Sequence, residues 1–131
     1  MDANEFVEAF VERVFRSAIR VTLAGLEAPP GRRPATDLVA ASAWYASLSE
    51  DDRANVSWVI ADTAHAAAFG ALAVIDGERA TGPDRYELIA IDANGARSLV
   101  NPESSEDLHD IFQGIVMLPD GRLRTGTADA E

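Results

Sequence analysis

The apolar and polar positions divide the chain into helical segments and one alternating segment. The first, NEFVEAFVERVFRSAIRVTLAGL, repeats Phe6, Phe10, Val14, Ala18 and Val21 near the helical period. Val7, Val11 and Phe15 widen that stripe. Asp2, Glu5 and Glu8 come before Arg13, Arg16 and Arg20, the order that complements a helix dipole. Gly25 is the expected stop. Pro29, Pro30, Gly31 and Pro34 then exclude a helix. TDLVAASAWYASL predicts a shorter helix, capped by Thr36 or Asp37, with Leu38, Ala41, Tyr45 and Leu48 as its apolar face.

SEDD, from Ser49 to Asp52, has the spacing of a capping box and predicts a third helix start. That helix runs through VSWVIADTAHAAAFGALAVI to Asp76, with Gly77 as a left-handed cap. Val56, Ile60, Thr63, Ala67, Gly70 and Val74 share one side, and Trp58, Asp62, His65, Phe69 and Leu72 the other. Both sides call for cover, so this helix is central or meets a partner. After ERATGPDR the period changes to two. Tyr86, Leu88 and Ala90 point one way, and Glu87, Ile89 and Ile91 the other. Asp92 to Gly95 suits a type I turn followed by a left-handed residue. A lone hairpin is marginal in water, so it must pack on helices, gain a strand from ALAVID, or pair across a dimer. Asn101-Pro102, or a second capping box at Ser104, predicts a final helix with Leu108, Ile111, Phe112, Ile115 and Val116 as its stripe. The expected fold is helix-rich α+β: three N-terminal helices, a β-hairpin and a C-terminal helix. Residues 1–118 form one domain, and residues 119–131 a loose polar tail.

Composition narrows the functional classes. A chain of 131 residues with 47% hydrophobic content can bury its own core. No apolar run reaches the roughly 20 residues of a bilayer span. The start MDANEFVEAF is acidic where a signal peptide would be basic. A soluble cytoplasmic protein with no membrane partner is therefore expected. The absence of cysteine excludes disulfides and thiolate metal sites. A net charge of -11 disfavours nucleic acid and suits a basic protein partner. All 11 basic side chains are arginine, as in the coding bias of a GC-rich bacterium.

Two acid-x-x-His pairs stand out, Asp62 with His65 and Glu106 with His109. Dinuclear carboxylate sites in helical bundles use Glu-x-x-His on two helices and one Glu from each of two more. Here the first pair carries Asp. Glu8 or Glu12 can come from the first helix, but the second offers only Asp37, so the set is incomplete. The competing reading pairs Asp62 locally with His65 and leaves His109 on the surface, beside the apolar stripe. A Ser57, His65, Asp62 triad lacks the strand-turn-helix elbow and an oxyanion loop. There is no phosphate loop, dinucleotide motif or zinc ligand set. Asp76-Gly77 and Asp120-Gly121 read as turns. No cofactor is expected, and a non-enzymatic protein is favoured over an enzyme. The candidate binding surface joins Glu50, Asp51 and Asp52 to the aromatics Trp58 and Phe69.

The runs SEDDR, FGALAVIDG and YELIAIDANGARSLVNPESSEDLHDIF resemble a pattern in small uncharacterised bacterial proteins and, more loosely, immunity proteins that accompany polymorphic toxins. The resemblance spans about the C-terminal two-thirds of the chain and rests on caps, turns and helix faces. It implies a small α+β protein that binds another protein, and it carries no catalytic residues. Three functions are therefore weighed: a toxin-neutralising interaction protein, a metal-binding protein or enzyme built on the two acid-x-x-His pairs, and a homodimeric structural protein.

Overall fold

The computed structural model describes residues 1–79 and 82–126. The first helical rod is continuous but not uniform. It comprises α1 (Ala3–Phe10), a π-helical stretch (Val11–Arg16) and α2 (Ser17–Glu27). Asp2 and Glu5 close a reciprocal capping box at its start, each backbone N–H donating to the other's carboxylate at 2.9 Å. The rod buries Ala3, Val7, Val11, Phe15 and Ile19. These positions are four apart throughout. In an ideal α-helix a four-residue step overshoots one turn by about 40°, so such a series would wind off the core within a few turns. The wider turn at 11–16 absorbs the excess and holds the series on one side. This overturns part of the expected stripe. Phe6 and Phe10 pack against the core, but Val14, Ala18 and Val21 face solvent.

The rod continues past Gly25 and ends where Ala28 turns extended ahead of Pro29. α3 (Thr36–Ser47) starts after Ala35 with no side-chain cap, so Thr36 and Asp37 lie inside the first turn instead of capping it. The Ser42 hydroxyl donates to the Leu26 carbonyl at 2.7 Å and ties α3 to α2. α4 (Glu50–Asp76) starts on Ser49, whose Oγ accepts from the Asp52 N–H at 3.2 Å. Arg53 donates to the Tyr45 and Ala46 carbonyls at 3.2 and 2.8 Å, satisfying the end of α3. Gly77, at φ 87°, closes α4 as expected. By length and composition α4 can cross a bilayer: it has 27 residues and a window of mean hydropathy 1.5, of which 28% is buried. Asp62, Thr63 and His65 keep its uninterrupted apolar runs short of a span, while alanines between the larger apolar residues raise the mean hydropathy of the whole helix.

β1 (Ile89–Ile91) and β2 (Arg97–Leu99) pair antiparallel, Ile89 with Leu99 and Ile91 with Arg97. Asp92 Oδ1 accepts from Asn94 and Ala96 N–H at 2.8 and 2.9 Å, and Gly95 takes φ 82°. Leu88, Ala90 and Val100 face the core, which anchors the hairpin to the helices without a third strand among the described residues. Asn101 does not begin a helix. Its Oδ1 accepts from Leu88 N–H at 2.7 Å and its Nδ2 donates to the Tyr86 carbonyl at 3.2 Å, extending the hairpin. α5 (Leu108–Val116) therefore starts later than predicted, after Asp107. It buries Leu108, Ile111, Phe112 and Val116 as expected, and His109 besides. Past α5 the chain folds back on the end of that helix. Met117 bridges to Leu123, the Arg124 N–H donates to the Val116 carbonyl at 2.7 Å, and Leu123 packs on the core. In that turn the Arg122 backbone N–H and guanidinium hold the Asp120 carboxyl below its ordinary pKa. Residues 127–131 of the expected tail lie outside the described residues.

The core is aromatic at its centre. Phe112 meets Phe15 edge-on at 5.6 Å and Phe10 at 6.2 Å. The four-residue register of the first rod is open to test by urea denaturation. Phe15→Ala should cost about 3–5 kcal/mol, whereas Val14→Ala next to it should stay within about 0.5 kcal/mol of the parent. Equal losses would mean that the π-helical stretch does not set the buried face.

Candidate functional site

The two histidines lie on either side of Phe69. His65, on α4, has its ring stacked between Phe69 at 6.0 Å and Phe112 at 5.7 Å. Its Nε2 is 2.7 Å from Gln113 Oε1, so with that carbonyl as acceptor the imidazole carries its proton on Nε2. His109, in the first turn of α5, presents its ring to the edge of Phe69 at 5.2 Å and is only 9% exposed.

His109 is held by Asp76. The last residue of α4 places a carboxylate whose side chain is 2% exposed against the start of α5. One oxygen, Oδ2, accepts from the His109 backbone N–H at 2.9 Å and faces His109 Nδ1 at 2.7 Å. The first N–H groups of a helix need acceptors, and its dipole favours an anion there. Asp107 occupies the capping position but makes no capping bond. Asp76, 33 residues before His109, performs that role across the tertiary contact.

With Nδ1–H donating to Asp76, the other ring nitrogen, Nε2, turns toward Asp110, whose Oδ1 is 3.5 Å away. Asp107, His109 and Asp110 bring one ligand atom each within 4.8 Å of one another. They are the residues among those described that could share a metal ion. Beside them a cleft of about 270 Å³ opens between Asp76, Glu106, Asp107, Asn101 and Arg85. Arg85 is engaged by Glu103 and, at 3.9 Å, by Glu87.

The expected quartet of Asp62, His65, Glu106 and His109 does not gather into one ligand cluster. His65 spends its polar contact on Gln113 instead of Asp62, which is exposed on α4. Glu106 lines the cleft, and His109 is buried instead of lying on the surface. Sequence reasoning missed Asp76, Asp107, Asp110 and Gln113. Asp76 carried a signal only for a turn, because its partner lies on another helix.

The binding residues expected on α4 also separate. Glu50, Asp51, Asp52 and Trp58 are exposed, Trp58 at 64% and its neighbour Val59 at 54%. Phe69 shares the helical face of Trp58 but is packed between the histidines. Asp51, Asn55, Trp58 and Asp62 recur at helical spacing along one exposed stripe. Arg53, the one cation of this region, is turned to the end of α3. Among the described residues no cation pairs with Glu50, Asp51, Asp52 or Asp62. No protein-family model matches the chain, and no curated protein or solved structure matches it significantly.

The cap supplied from a distance makes a sharp contrast. In chelator-treated protein, Asp76→Ala leaves two buried donors of His109 without an acceptor and should cost about 1–3 kcal/mol. The first amides of α5 should lose hydrogen-exchange protection. Asp107→Ala should change stability by less than about 0.5 kcal/mol, although it alters the nominal cap. The reverse ranking would assign the cap to Asp107.

Proposed function

We propose that the chain is a non-enzymatic interaction protein that takes a basic protein segment on the exposed stripe of α4. Neutralisation of a basic toxin is its concrete form. The carrying observation is the 64% exposure of Trp58 on a stripe bearing Asp51 and Asp62. A large apolar ring left in water costs free energy that a partner recovers, and tryptophan is over-represented among residues that dominate interfaces. The surrounding carboxylates pair with no cation among the described residues, so an arginine- or lysine-rich partner supplies their charge and is steered in. The net charge of -11 acts in the same direction over longer range.

The test uses an amphipathic peptide alternating leucine with arginine, added to the full chain. The chain has 2 tryptophans, so a Trp44→Phe background makes Trp58 the sole reporter. The expected outcome is a blue shift of Trp58 emission and an affinity that falls as salt rises. By anisotropy of labelled peptide, Trp58→Ala should bind about 30-fold more weakly, the loss of about 2 kcal/mol of a central anchor. Equal affinity for the parent, Trp58→Ala and a D51N/D52N variant removes the reading. So does flotation of the protein with lipid vesicles through the α4 stripe.

A second reading has its own observation. Ile89, Ile91 and Leu99 share the outer face of the hairpin and are exposed, with no further strand on either edge among the described residues. Two copies can bury that face across a twofold axis. Light scattering distinguishes the two. A dimer that Ile91→Glu converts to a monomer supports self-association, and a concentrated monomer eliminates it.

A further inference from the structure

We propose that Asp107, His109 and Asp110 form a site for one divalent transition-metal ion, with the buried Asp76 as the carboxylate that positions the imidazole. Asp76 Oδ2, 2.7 Å from Nδ1, accepts its proton, so in the neutral imidazole Nε2 is the nitrogen with a lone pair. That pairing of a buried carboxylate with the far nitrogen is what fixes tautomer and orientation in metal-ligating histidines. His109 is nine-tenths buried, so its Nε2 is aimed and not free to rotate into solvent.

What Nε2 meets is an anion. Asp110 Oδ1 lies at 3.5 Å, beyond normal hydrogen-bond length, and the two are held together by a cation between them, either a metal ion or a second ring proton. Two ligand atoms about 2.1 Å from one ion at a tetrahedral angle are about 3.4 Å apart, close to this separation. The third carboxylate is uncommitted, because Asp107 makes no capping bond. Local charge favours the same occupant. Asp76, Glu106, Asp107 and Asp110 crowd the start of α5, while Arg85 is taken by Glu87 and Glu103. Asp107 and Asp110 are exposed, which leaves the outer coordination positions to water. One imidazole and two carboxylates suit zinc or manganese.

The experiment is calorimetric titration of Zn²⁺ into the chelator-stripped full chain, with ¹⁵N spectra of the histidine rings. One equivalent should bind, and the His109 Nε2 resonance should move to the coordinated range. Asp107→Asn and Asp110→Asn, both on exposed side chains, should each weaken binding at least about tenfold with helicity unchanged. Asp76→Asn should weaken it about 10- to 100-fold and shift the tautomer of His109. Absence of binding overturns the proposal. So does unchanged affinity in Asp110→Asn, or an Nε2 that stays protonated at saturating Zn²⁺. That last result would identify the group as an imidazolium held between two carboxylates.

Discussion

The Asp76 carboxylate joins two helix ends, and the core depends on where it sits. It terminates α4, where the dipole disfavours an anion, and it meets the first turn of α5, where the dipole favours one. A buried carboxylate costs several kcal/mol unless its oxygens are matched. Here one oxygen takes both a backbone N–H and an imidazole nitrogen. That junction sets the start and the direction of α5. With α5 in place, Phe112 lies among Phe10, Phe15 and His65, and Gln113 reaches His65.

A second constraint follows from length. α4 has 27 residues and extends about 40 Å, whereas α5 has 9 and covers about 14 Å. One helix therefore has two environments. Its C-terminal half buries Ala68 and Leu72 and meets α5 through His65, Phe69 and Asp76. Its N-terminal half leaves Trp58 and Val59 in solvent. The proposed contact surface lies toward the N-terminal end of α4 and the proposed metal site beside its C-terminal end, at the start of α5, and the two share no residue.

Much of the local structure was legible because its causes are local. Ser49 starts α4 and Gly77 ends it through bonds to residues a few positions away. The hairpin turn follows from Asp92 bonding Asn94 and Ala96. The apolar period of α5 is that of its buried face. The misassignments occur where distant partners decide. Asn101 was a plausible helix start, but its amide is spent on Leu88 and Tyr86. Trp58 and Phe69 share a face, and no periodicity reveals that a nine-residue helix covers only one of them.

The sequence by itself determined a helix-rich α+β chain, its main breaks, its turn chemistry and its excess of negative charge, because propensity, capping and charge act within a few residues. Tertiary structure decided the π-helical register of the first rod, the burial of His109, its pairing with Asp76 and the exposure of Trp58. Each of those depends on which surfaces meet across the fold. A carboxylate 33 residues away can replace a local cap only after packing has brought the two helix ends together.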